Sequence, residues 1–174
     1  KAHFVGHSMG GYVSLALAEL YPTLIRKIML LNSTSREDSF ERKQNRERAI
    51  EAVKTNKNTF IQMAIANLFS PDNREKLSSE IEIVKTEALE TSTQGVIAAI
   101  EGMKIRKDRF FLIEKNDFPV YIVVGKKDPV LDISDIQLQV NSPNVTLITF
   151  NDGHMSHIEN QNELQQVLTS FVKN

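Results

Sequence analysis

Gly6-His7-Ser8-Met9-Gly10 lies between a short apolar run, Ala2 to Val5, and the helical pattern Gly11-Tyr12-Val13-Ser14-Leu15-Ala16-Leu17-Ala18. A chain that turns from strand to helix within five residues has few backbones open to it. The residue at the tip is forced into a strained conformation, so small residues are expected two positions to either side, and Gly6 and Gly10 supply them. The same turn places Ser8 at a helix N-terminus, where free N–H groups and the helix dipole favour developing negative charge. Strand, sharp turn with serine at its tip, then helix is the context in which G-x-S-x-G marks a nucleophile. The plainer alternative is a Gly/Ser turn that only connects two elements.

Four strands are expected: Ala2 to Val5, Lys27 to Leu31, Val120 to Val124 and Val145 to Phe150. Ile28-Met29-Leu30-Leu31 and Tyr121-Ile122-Val123-Val124 are continuous apolar runs rather than alternating ones. Such runs suit parallel strands buried on both faces. Helical segments lie between them, from about Ser8 to Leu20 and, at the end, from about Asn160 to Val172 with Leu164, Val167, Leu168 and Phe171 on one face. The fold class is α/β, a mostly parallel sheet flanked by helices.

Residues 36–115 differ from the rest. They hold 15 of the 21 Lys+Arg and 14 of the 22 Asp+Glu, without a convincing strand. Arg42 to Lys54 and Ile81 to Leu89 read as charged amphipathic helices, with Asn56-Lys57-Asn58 and Ser70-Pro71-Asp72-Asn73 as breaks. Phe60, Ile61, Ala64, Leu68 and Phe69 form an apolar helical face. Too long for a simple crossover, the insertion is expected to be a helical cap, or else an appendage that only packs. The expected division is 1–35 for the nucleophile strand and its βα/β neighbours, 36–115 for cap and return helix, and 116–174 for the C-terminal core.

A serine hydroxyl needs a base, and the base an orienting acid. Four histidines are present. His3 within the first strand and His7 inside the turn are expected to be structural, leaving His154 and His157. His154 follows the fourth strand directly, and Gly153 gives the loop freedom to swing the ring inward. His157 is expected to pack near the pocket rim or to cover the loop. For the acid, Asp128 in Gly125-Lys126-Lys127-Asp128-Pro129 follows the third strand, while Asp132 and Asp135 read as a helix N-cap and a surface carboxylate. Ser8, Asp128 and His154 each sit just past a parallel strand, so the topology brings them to one edge of the sheet.

Gly6-His7-Ser8-Met9-Gly10-Gly11, Gly125-Lys126-Lys127-Asp128 and Gly153-His154-Met155-Ser156-His157-Ile158-Glu159 together resemble the three motifs of the α/β-hydrolase fold superfamily. The segment Gly95 to Asp108, followed by Phe118-Pro119-Val120, is similar to its run from cap back to sheet. The resemblance covers essentially the whole chain. It implies Ser8 as nucleophile, His154 as general base and then acid, Asp128 as orienting carboxylate and the Met9 N–H as one oxyanion donor. It further implies a serine hydrolase of small-molecule esters or related acyl compounds, without metal or organic cofactor. Phe60, Met63, Phe69, Met103 and His157 are the candidates for substrate contact. A C–C bond hydrolase, a thioesterase or a cofactor-free haloperoxidase would carry the same motifs, as would a catalytically incompetent fragment or binding module. Ser8 excludes the carboxylate nucleophile of the family's dehalogenases.

The chain departs from that pattern in one respect. The family has several strands before the nucleophile strand, and the sequence, which does not begin with methionine, has none. About 80–100 residues are therefore expected to be absent, at ~30 per βαβ unit, and with them the second oxyanion donor. An apolar edge on the first strand would be left free, a place for a second copy to pair and form a homodimer. The remaining composition is ordinary: 41% hydrophobic, 25% charged, net charge -1, no cysteine. It gives no electrostatic case for nucleic acid or an anionic membrane, provides no disulfide framework, and fits a reducing, cytoplasmic compartment.

Overall fold

The computed structural model describes residues 1–115 and 118–173, and these fall into two compact units, Lys1–Arg36 with Asp108–Asn174, and Glu37–Lys107. The first unit holds a four-stranded parallel sheet in the order β1-β2-β3-β4, with β1 at Ala2–His7, β2 at Ile25–Leu31, β3 at Val120–Gly125 and β4 at Val145–Phe150. All four expected strands are present, each at or within two residues of its expected ends.

Both faces of the sheet are covered, which accounts for the continuous apolar runs. Side chains alternate across a strand, so Ile28 and Leu30 of β2 and Ile122 and Val124 of β3 enter one apolar cluster. Leu15 and Ala18 of α1 (Met9–Leu20), Phe110 and Ile113 of α5 (Phe110–Lys115), and Ile136 of α6 (Ile133–Gln137) complete it. Met29, Leu31 and Val123 point the other way, onto Leu164 and Phe171 of α8 (Gln161–Lys173), which follows the single turn α7 (Ser156–Glu159). The end of α8 is held by Lys27, a buried lysine whose Nζ donates to the Phe171 carbonyl at 2.9 Å. His3 packs edge-on against Phe171.

The second unit is helical: α2 at Phe40–Ala66, α3 at Ser78–Leu89 and α4 at Thr93–Lys104. Ser39 caps α2 by accepting from the Arg42 N–H. The expected break falls at Asn56, whose backbone leaves the helix (φ −155°, ψ 90°) while its side chain accepts from the Thr59 N–H and restarts it. The second break forms a 3-10 turn at Pro71–Asn73. Near the two ends of this unit Asp38, with no exposed side-chain surface, pairs with Arg106 at 2.8 Å and Arg46 at 3.1 Å. Burial alone would push that carboxyl up; the bonds to Arg106 and Arg46 outweigh it and hold it below the usual range.

The return helix belongs to the sheet rather than to the helical unit, because Phe110 and Ile113 are buried in the sheet's own cluster. The division therefore falls between Lys107 and Asp108, earlier than the expected 115, and an expected boundary beginning at 116 lies outside the described residues. None of the described helices is long and apolar enough to cross a membrane.

Candidate active site

Parallel strands present their C-terminal ends at one edge, and three loops meet there. Ser8 follows β1 with φ 50° and ψ −117°, a sparsely populated backbone that costs on the order of 1–3 kcal/mol. Its N–H donates to the Leu31 carbonyl at 2.9 Å, and its own carbonyl accepts from Ser33 Oγ at 2.8 Å. The turn tolerates no side chain at Gly6, where a Cβ would lie 2.4 Å from the Gly10 carbonyl. Gly10 itself corrects an expectation: a Cβ there meets nothing within 4 Å, and the second close approach is at Gly11, against Ser33.

His154 Nε2 lies 2.9 Å from Ser8 Oγ, and His154 Nδ1 lies 2.8 Å from Asp128 Oδ2. The ring is 2% exposed and the Asp128 side chain fully buried. A carboxylate only accepts, so Nδ1 carries the proton and the Nε2 lone pair faces the serine. Asp128 accepts further from the Val130 and Leu131 N–H groups on Oδ1, and from Asn32 Nδ2 on Oδ2. Burial would raise this carboxyl, but the bonds from His154, Asn32 and Val130 prevail and keep it ionised below the usual range. The arrangement can deprotonate the serine hydroxyl and hold the resulting imidazolium beside a fixed negative charge. The Met9 N–H opens α1, among amides that have no acceptor within the helix.

The other sequence candidates fall as follows. Asp132 caps α6, accepting from the Ser134 N–H, and Asp135 is exposed. Gly153 is not needed for unusual backbone, since no described glycine has a positive φ; its carbonyl is what the site uses, as acceptor for Asn32. In the helical unit Phe60 and Met103 pack on the cluster of Ile50, Val53 and Ile100, Phe69 is fully buried, and Met63 is 63% exposed. His157 stands edge-on to His7 at 4.7 Å between centroids.

His7 is structural, as expected, and braces the histidine loop: its Nε2–H donates to the His154 carbonyl at 2.8 Å. Burial, with His154 and His157 adding to it, pushes the ring down to about 4 against the opposing pull of that hydrogen bond. The unfolded chain takes up this proton near pH 6.5 and the folded one only near 4. Stability is thus fully present above 6.5 and falls as pH drops towards 4, by on the order of 3 kcal/mol. A His7→Gln variant, which keeps a donor but cannot charge, should lose less stability over this window, measured by urea unfolding at stepped pH; an unchanged slope would contradict the assignment.

Asn32 and Ser33, both with no exposed surface, were not marked by the sequence. They follow β2 in an otherwise polar Asn-Ser-Thr-Ser run that carries no motif, and only the folded sheet shows what they touch.

A family model for the alpha/beta hydrolase fold matches residues 1–161. Over 171 residues the chain is 25% identical to pyrrolizixenacetamide deacetylase of Xenorhabdus hominickii, covering 97% of this chain and 64% of that protein. It is 22% identical to 3-oxoadipate enol-lactonase 2 of Acinetobacter baylyi, covering 99% and 64%. A solved thermophilic esterase from Thermogutta terrifontis superposes with a TM-score of 0.90 at 27% identity, over 99% of this chain and 65% of that one. The chain thus spans a little under two thirds of the length of these relatives.

Proposed function

Because the chain belongs to the α/β-hydrolase fold family, we propose that it carries the catalytic machinery of a serine hydrolase acting on small esters or related acyl compounds. Ser8 Oγ attacks the acyl carbonyl while its proton passes to His154 Nε2. The carbonyl oxygen gathers negative charge beside the Met9 N–H at the start of α1. His154 then gives the proton to the leaving alcohol, and the acyl group stays on Ser8. A water that loses its proton to His154 attacks the ester, and the carboxylic acid departs as the proton returns to the serine. Asp128 holds the ring's tautomer and offsets its charge. The deacetylase, enol-lactonase and esterase among its relatives all accord with attack on an acyl carbon.

The observation that carries this reading is the unbroken line from Ser8 Oγ through His154 to Asp128, with bonds of 2.9 and 2.8 Å. Asp128→Asn tests it. With its oxygen placed to accept from the Val130 and Leu131 N–H groups, the amide turns its NH2 toward the ring, so the wrong tautomer is favoured and turnover of an activated aryl ester should fall roughly 10⁴-fold. Near-native turnover in a folded variant would move the acid role to another carboxylate.

A self-association is proposed alongside. β1 has a strand on one side only among the described residues, and Val5 on it is 47% exposed. Among the described residues no strand pairs with the other edge of β1, and the β1 of a second copy is the partner proposed for it. Sedimentation velocity should show a concentration-dependent dimer that Val5→Lys disperses; a monomer at all concentrations would overturn it.

A further inference from the structure

Asn32 bears several costs at once. It is fully buried, it holds a left-handed backbone at φ 46°, and its Oδ1 has no hydrogen-bond partner among the described residues. Each is disfavoured, and together they call for a compensating purpose. That purpose is visible at Nδ2, whose two hydrogens are both used: one goes to Asp128 Oδ2 at 3.0 Å and the other to the Gly153 carbonyl at 3.1 Å. Both partners only accept, so the amide has a single possible orientation. One side chain at the end of β2 therefore ties the loop after β3 to the loop after β4. Its neighbour Ser33 holds the Ser8 carbonyl, so the pair Asn32-Ser33 touches all three loops of the site.

We propose that Asn32 is a positioning residue of the Ser8–His154–Asp128 site, fixing the Asp128 carboxylate and the His154 main chain in one geometry and keeping that carboxylate a charged acceptor. The proposal rests on the catalytic reading above. Donation from a neutral amide favours the ionised form of its partner without adding charge. It leaves Asp128 Oδ2 shared between Asn32 and His154, and Oδ1 filled by the Val130 and Leu131 N–H groups. The titratable groups facing Asp128 are His154 and, behind it, His7.

Two variants separate positioning from bulk stability. Asn32→Gly suits the left-handed backbone and removes the side chain with its carboxamide. Asn32→Asp keeps the shape and tolerates that backbone, but has no donor when ionised and faces Asp128 with like charge. The readout is the titration of the Asp128 carboxyl by ¹³C NMR, its signal assigned with Asp128→Asn, together with kcat and KM on an aryl ester. The Asp128 midpoint should rise by roughly half a unit to one unit in Asn32→Gly and further in Asn32→Asp. In Asn32→Gly kcat should fall about tenfold at little-changed KM, as displaced catalytic groups do. An unmoved Asp128 midpoint in both folded variants overturns the proposal. A wild-type chain that hydrolyses no ester overturns the catalytic reading instead, and the titration still reports on Asn32.

Discussion

Ser8→Ala and His154→Ala should each lower turnover of an activated aryl ester by roughly 10⁴–10⁶-fold, with the double variant no worse than either single one. The non-additivity follows from the geometry. Ser8 Oγ and His154 Nε2 share one hydrogen bond of 2.9 Å, so each group is idle without the other: a hydroxyl with no base is a poor nucleophile, and an imidazole with no hydroxyl has nothing to activate. Ser8→Ala should leave the fold intact, since Ser8 Oγ bonds only to His154 Nε2 among the described hydrogen bonds, whereas His154→Ala also takes a partner from buried Asp128 and is compared as folded protein. Steady-state kinetics on the four proteins checks this. Independent, additive losses would mean that the two residues do not act as a unit.

The second large effect is structural. Gly125 ends β3, and a Cβ on it would lie 2.2 Å from the Asp152 carbonyl oxygen and 2.3 Å from that of Gly153. Both are main-chain atoms of the histidine loop, so no side chain can swing away to make room. Gly125→Ala must push that loop outward, at a cost of roughly 2–3 kcal/mol. The displacement also carries His154 off the line between Ser8 and Asp128, and an ångström of misplacement costs about 10² in rate. Chemical unfolding and turnover should therefore fall together, with activity lost even where the variant is fully folded. A variant of native stability and native turnover would show that the loop packs differently from this arrangement.

Ser8, Asp128 and His154 were legible in the sequence for a topological reason. Each follows an apolar run that had to be a strand, and parallel strands bring their ends to one edge whatever lies between them. The break at Asn56 was legible because the sequence around it, Asn56-Lys57-Asn58, favours turns over helix. Gly125, Asn32 and Ser33 were not legible, since each acts on main-chain or carboxylate atoms of a loop distant in the chain. A glycine after a strand or an asparagine in a polar run looks the same with or without such a partner. Gly10 failed in the opposite sense: the pattern suggested a steric need that the turn imposes on Gly6 and Gly11 instead. The helical unit shows a further limit. Phe60 has the spacing of an apolar face, and spacing alone does not say what such a face meets; Phe60 and the other candidate Met103 both pack on Ile50, Val53 and Ile100. Phe110 and Ile113 were assigned with the insertion because the charged run continues past them, whereas burial assigns them to the sheet.

His154 is proposed to activate Ser8. The most direct measurement is labelling of the folded chain with a fluorophosphonate probe, read by peptide mass spectrometry. Phosphonylation is expected at Ser8 and is lost in His154→Ala; a folded chain unlabelled at Ser8, or labelled equally fast without His154, would contradict activation by His154.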